Sequence, residues 1–118
     1  MRTFYLYDNN EQILKEVLVD EDKETLPVFY DSLECELIDM PYFTNGIYIV
    51  CDDMGLMKQP KNINFIYDTS NIQHRYVGKM MFVSIDEDGA TIGLNQTQIA
   101  YLKEKVTIKT VPIELALH

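Results

Sequence analysis

The stretch YVGKMMFVSI, residues 76–85, is a nearly continuous apolar run. A strand with apolar side chains on both faces has to be covered on both sides. We therefore expect this stretch to be a central strand of a sheet. The turn residues DEDG, 86–89, close it, and ATIGL, 90–94, is expected to pair back.

Further strands are predicted upstream. TFYLYDNNEQILKEVLV, 3–19, is typical of a hairpin, because apolar and polar residues alternate around the turn formers Asp8, Asn9 and Asn10. ECELIDM, 34–40, and GIYIVCD, 46–52, are expected to pair through a PYFTN turn, 41–45.

Two cysteines lie opposite each other if PYFTN is that turn. Cys35 and Cys51 would then be either a redox pair or two small core residues on a shared face. We favour the core interpretation, since cysteine is among the residue types most often buried.

The segment between these strands and the apolar run is more ambiguous. NINFIYD, 62–68, is expected to be an extended segment or a loop edge, and TSNIQH, 69–74, a polar loop.

Two helices are predicted. Leu26, Phe29, Tyr30 and Leu33 form one helical stripe, and Pro27 in the first turn favours Thr25 as N-cap. The second helix is the better marked.

Asn95 is the predicted N-cap of this second helix, and Gln98 completes a capping box. Ile99, Leu102 and Val106 form its buried stripe. TIKTVPIEL, 107–115, is expected to be an edge strand, because Pro112 has no N–H to donate to a central ladder.

Together these patterns predict a single α+β domain over residues 1–118, with a mostly antiparallel sheet and two short helices packed on it. The predicted core comprises Phe4, Leu6, Leu26, Phe29, Leu33, Leu37, Ile47, Ile49, Met80, Phe82, Ile99 and Leu102.

The charge narrows the class of partner. Nineteen Asp and Glu residues against ten Lys and Arg give a net charge of −9. That field repels nucleic-acid phosphates and anionic lipid, so we expect neither direct nucleic-acid binding nor membrane binding, and a protein as partner. The charge also has a simpler interpretation, as an aid to solubility.

The cellular location is inferred from absent signals. MRTFYLYDNNEQ, 1–12, has no apolar core or small-residue cleavage site, and no run reaches the roughly 20 apolar residues of a membrane span. We expect a cytoplasmic protein with both thiols reduced.

No catalytic, cofactor or metal residues are predicted. DEDG and DDMG lack the ligand spacing of a calcium loop, and His74 and His118 form no cluster with the cysteines. No nucleophile elbow or glycine-rich phosphate loop occurs. We expect a non-enzymatic protein, although scattered carboxylates leave acid–base catalysis open.

A candidate interaction surface follows from an acidic corner in DDMGLMKQPKN, 52–62, and from two aromatic residues expected in an exposed loop. Its residues are Tyr42, Phe43, Asp52, Asp53, Lys58 and Asn62.

The order of motifs over about residues 26–106 resembles the domain-of-unknown-function family 3846, small proteins frequent in phages and conjugative plasmids. The residues that carry the resemblance are Glu36, Asp52, Asp53, Gly55, Leu56, Pro60, Asn62, Gly78, Gly89, Leu94 and Gln98. Members usually carry a Val-Gly-Gly between the first helix and the glutamate strand, where this chain has YDSLECE. The resemblance implies that the protein originates from a mobile element and is located in the bacterial cytoplasm. It does not imply any enzymatic reaction.

Three functions are therefore considered. The preferred one is an accessory or protein-interaction module of a phage or plasmid. The first alternative is an acidic DNA mimic that inhibits a host defence or restriction protein, and the second is a small ligand-binding or hydrolase domain using the Asp52–Asn62 corner.

Overall fold

The computed structural model describes residues 1–70 and 72–116. The strands are Arg2–Asp8 (β1), Ile13–Val19 (β2), Ile38–Asp39 (β3), Tyr42–Thr44 (β4), Ile47–Asp52 (β5), Asn62–Tyr67 (β6), Gln73–Tyr76 (β7), Met80–Ile85 (β8), Thr91–Ile92 (β9) and Thr107–Pro112 (β10). The helices are Thr25–Leu33 (α1), Gln96–Lys105 (α2) and Ile113–Ala116 (α3), with a 3₁₀ turn at Gly55–Lys58.

Strand β8 lies in the middle of a seven-stranded antiparallel sheet. It pairs with β1 on one side and with β5 on the other, in the order β2-β1-β8-β5-β3. Met80 and Phe82 point to one face, and Met81 and Val83 to the other, and all four are fully buried. The predicted central strand, covered on both faces, is confirmed.

Two layers cover this sheet. Helix α1 packs on one face through Phe29 and Leu33. The other face is covered by α2, through Leu102, and by a second sheet of order β10-β6-β7, through Ile66. The α+β class is confirmed, whereas the expectation of one sheet is corrected to two.

The apolar run is shorter than predicted. Tyr76 ends β7 in the small sheet, and Gly78 at φ +80° turns the chain into β8 in the large sheet. The sequence pattern does not report this change of sheet, because Tyr76 and Val77 are apolar like the residues of β8 that follow them. Gln73 and His74, expected in a loop, belong to β7.

The β4–β5 hairpin corrects the predicted turn. Thr44 pairs with Ile47, so the turn is Asn45-Gly46, both at positive φ, and PYFTN contributes a strand. Asn-Gly is favoured in two-residue hairpin turns because both positions need positive φ. Asp39, and not Cys35, pairs with Cys51.

The predicted core is largely confirmed. Eight of the twelve residues are buried, and Leu6 and Ile99 are half-buried. The predicted burial is wrong for Leu26 and Leu37, which have 46% and 53% of their surface exposed. A helical stripe does not show how far the sheet beneath it extends, and Leu37 precedes an edge strand that no further strand covers.

The N-termini of α1 and α2 differ in how they are capped. Glu24, not Thr25, occupies the N-cap of α1, and no side chain caps it. The capping box of α2 is confirmed: Asn95 Oδ1 accepts from the Gln98 N–H at 2.8 Å, and the Asn95 N–H donates to Gln98 Oε1 at 2.9 Å. The edge position of β10, which contains Pro112, is also confirmed, but the strand ends at Pro112, and the residues expected to continue it begin a third, unpredicted helix, α3.

Gln98 also ties α2 to the large sheet. Its Nε2 donates to the Asn45 carbonyl at 3.0 Å and to Ser84 Oγ at 3.3 Å, and that hydroxyl donates to the Gly46 carbonyl. The side chain is buried, so each lost bond leaves an unpaired polar group.

We expect Gln98→Ala to lower the free energy of unfolding by about 2–3 kcal/mol, because a cap bond and buried bonds are lost together. Urea denaturation measures it. The exposed Gln96→Ala on the same helix is the control and should change stability by less than about 0.5 kcal/mol. Equal effects from both variants would contradict the assignment.

Candidate functional site

The corner, residues 52–62, carries the chain from the large sheet to the small one. Strand β5 ends at Asp52, the 3₁₀ turn follows, and β6 begins at Asn62. Four of the six predicted site residues, Asp52, Asp53, Lys58 and Asn62, lie in it.

The polar groups of the corner are largely engaged with the fold itself. Asp52 Oδ2 lies 2.7 Å from Lys58 Nζ, and its Oδ1 accepts the Met54 N–H at 2.9 Å. The hydrogen bond to Asp52 raises the pKa of Lys58. Asn62 Oδ1 accepts from Asn9 Nδ2 at 2.8 Å, which ties the corner to the β1–β2 turn.

A buried polar chain continues from the corner into the small sheet. Asn64, fully buried, donates to the Gly78 carbonyl and accepts from Thr110 Oγ1, each at 2.8 Å. Thr110 Oγ1 lies 2.6 Å from the Tyr7 hydroxyl, so the chain joins the two sheets. In the sequence, an asparagine alternating with apolar residues in NINFIY was the signal for it.

The space around position 55 explains why a glycine occupies it. A Cβ placed on it would lie 2.3 Å from Val77 Cγ2, well inside contact distance. The 3₁₀ turn therefore packs directly on the segment that links the two sheets.

We expect Gly55→Ala to lower the free energy of unfolding by about 1–3 kcal/mol through overpacking. Val77→Ala removes the clashing methyl, so in the double variant the cost of the alanine at position 55 should shrink. A double-mutant cycle by chemical denaturation measures this coupling, and strictly additive effects would refute the contact.

The two larger grooves beside the corner are lined partly by its residues. One, of about 660 Å³, runs along the end of α1 and is lined by Tyr30, Asp31, Glu34, Cys35, Glu36, Leu37, Asp52, Met54 and Lys58. The other, of about 330 Å³, faces the small sheet, and its lining includes Asp39, Asp53, Leu56, Ile63, Arg75 and Tyr76. Carboxylates rim both.

Large apolar side chains are exposed at the corner and beside it. Leu56 and Met57 on the 3₁₀ turn are 71% and 75% exposed. Leu37 is also exposed, and its carbonyl accepts the Asp53 N–H at 3.0 Å, which places it beside the corner. We call these three residues the apolar rim. Sequence reasoning included none of them in the candidate surface.

The two aromatic residues of the predicted surface separate. Tyr42 is exposed and packs edge-on against Tyr48. Phe43 is buried between His74 and Phe82, so its expected exposure is wrong. Alternation along β4 sends neighbouring side chains to opposite faces.

Both thiols are free and buried, as expected of core residues, but they belong to clusters on opposite faces of the large sheet. Burial, with the charges of Asp39, Asp53 and Asp52, raises the pKa of Cys51 to about 12. Burial and then Asp52 raise the pKa of Cys35. Neither thiol is tuned as a nucleophile.

We expect neither cysteine to react with a thiol reagent at pH 7.5 until the chain unfolds. Because the folded pKa of Cys51 is raised, its contribution to stability is present below the ordinary pKa near 9 and is lost as pH rises towards 12. Labelling followed by mass spectrometry, with and without urea, measures the reactivity of each thiol. Rapid labelling of the native protein would contradict the burial of the two cysteines.

Within 1–70 and 72–116, no group of three or more His, Cys, Asp or Glu side chains is placed to hold a metal ion. None of the helices in those ranges has the length and apolar character needed to cross a membrane. His118 lies outside the described residues.

The comparisons with known proteins give one match. Residues 1–107 match the model of the family described as Domain of unknown function (DUF3846). The chain belongs to this family. The match extends beyond the resembling motifs and includes the β1–β2 hairpin. No curated protein and no solved structure matches the chain.

Proposed function

We propose that this protein is a non-enzymatic protein-binding module and that it binds its partner through the corner surface. We define the corner surface as the apolar rim together with Asp39 and Asp53. The observation that carries the proposal is the exposure of Leu37, Leu56 and Met57 on a corner whose polar groups are engaged internally.

The partner is a protein segment with basic and apolar side chains. Exposed large apolar side chains are a feature of interaction sites, and methionine adapts its shape to a partner surface. Asp39 and Asp53 are exposed beside the rim, so they favour Lys or Arg on the partner.

The family resemblance extends the proposal. A phage or plasmid origin implies that the partner is a protein of the bacterial host or of the same mobile element, met in the cytoplasm. A ligand-binding or hydrolase role is not proposed, because Asp52 and Asn62 are occupied by Lys58 and Asn9.

A photo-crosslinking amino acid in place of Met57 tests the corner surface in cells that produce the protein. We expect a defined crosslinked species, weakened about tenfold or more by Leu56→Asp, because a charge then enters an apolar contact. The same amino acid in place of Leu18, exposed on β2, is the control. Equal crosslinking from both positions, or no effect of Leu56→Asp on a folded protein, would contradict the proposal.

A DNA mimic is the second candidate, favoured by Asp31 and Glu36, two exposed carboxylates that line one groove and form no ion pair within the described residues, whereas Glu34 and Asp52 in the same groove are paired with lysines. Here charge, not the apolar rim, would carry binding. Asp31→Asn with Glu36→Gln should then abolish partner binding while Leu56→Asp preserves it, the reverse of the pattern expected for the corner surface.

A further inference from the structure

The outer face of the small sheet combines aromatic and basic side chains. Asn64 and Ile66 on its middle strand point inward and are fully buried, so Ile63, Phe65 and Tyr67 point outward. The pairing register extends this face over β7 and β10. We call it the platform; its residues are Ile63, Phe65, Tyr67, Gln73, Arg75, Thr107, Lys109 and Val111.

The platform is basic on an acidic protein. None of its eight residues is acidic, and Arg75 and Lys109 give it two positive charges, whereas the chain carries a net −9. Across the described parts of the chain, neither cation forms an ion pair with a carboxylate, in contrast to Lys15, Lys58 and Lys79.

Aromatic rings hold the two cations instead. The Arg75 guanidinium carbon lies 5.3 Å from the Phe65 ring centre, and Lys109 Nζ lies 6.0 Å from that of Tyr67. Such contacts orient a cation and leave its N–H groups available. Both side chains are exposed, so these donors can bind anions from solution.

We propose that the platform binds an extended acidic segment of a partner protein. Arg75 and Lys109 both pair with Phe65, from opposite sides, so they lie about 10 Å apart across the sheet. In a polyproline II segment, glutamates three residues apart lie on one side at about 9 Å. Prolines between the two glutamates hold the segment in this extended conformation.

Single-stranded nucleic acid is the rival occupant, since bases stack on aromatic side chains. Two observations favour the acidic peptide. The rings already hold cations, and two positive charges on a chain of net −9 release few counterions from a phosphate backbone.

Fluorescence anisotropy on the full chain tests the proposal with three labelled probes. The first is a peptide with two glutamates separated by two prolines, the second has glutamines in their place, and the third is a single-stranded oligothymidine of eight nucleotides. We expect the glutamate peptide to bind about tenfold or more tightly than the glutamine peptide, with affinity falling as salt rises.

Arg75→Gln and Lys109→Gln should each weaken binding of the glutamate peptide about five- to tenfold. Lys103→Gln is the matched control, because it removes the same charge from an exposed lysine on α2 that lies over the Tyr5 ring, away from the platform. It should leave the affinity unchanged. Circular dichroism confirms folding, and Arg75→Lys supplies a second variant that retains the charge.

Three results would overturn the proposal: no saturable binding of the glutamate peptide at millimolar concentration, equal affinities of the Lys109→Gln and Lys103→Gln variants, or tighter binding of the oligonucleotide. The test is separate from that of the corner surface. Arg75 also lines the groove beside Leu56, but Lys109 does not, so its variant reports on the platform alone.

Discussion

The two-sided burial of β8 is the constraint on which the rest of the structure depends. Met80 and Phe82 on one face, and Met81 and Val83 on the other, are removed completely from water. One layer cannot achieve this, so α1 must cover one face while the small sheet and α2 cover the other. At about 1.5–3 kcal/mol for each buried side chain, these four residues alone represent a stabilisation comparable to the net stability of a small domain.

The corner is a consequence of this layering. After β5 the chain must leave the large sheet and enter the small one, and Asp52, Lys58 and Asn62 use their polar groups to fix that passage. Gly55 allows the turn to approach Val77, and the chain returns to the large sheet through Gly78. The polar residues that stand out in the sequence are thus mostly engaged in the crossing, and the apolar Leu37, Leu56 and Met57 beside them stay exposed.

The charges of the surface are divided in the same way. Carboxylates rim the two larger grooves of the corner, whereas the outer face of the small sheet carries Arg75 and Lys109 and no acid. The net charge of −9 agrees in sign with the corner but does not reveal the basic outer face of the small sheet. Two surfaces of opposite sign on one small domain are complementary to a basic and to an acidic segment, respectively.

Local patterns in the sequence determined the elements that depend on near neighbours. The hairpin turn formers after β1, the Asn95–Gln98 capping box and the doubly apolar β8 were all predictable, because the residues involved lie within a few positions of one another or share one strand. The tertiary structure alone decided what depends on distant pairing. Which sheet Tyr76 belongs to, whether Cys35 or Asp39 lies opposite Cys51, and the burial of Phe43 with the exposure of Leu37 all follow from register and layer packing. A shift of one residue in register exchanges the two faces of a strand, and the composition of the strand does not reveal which face is turned inward.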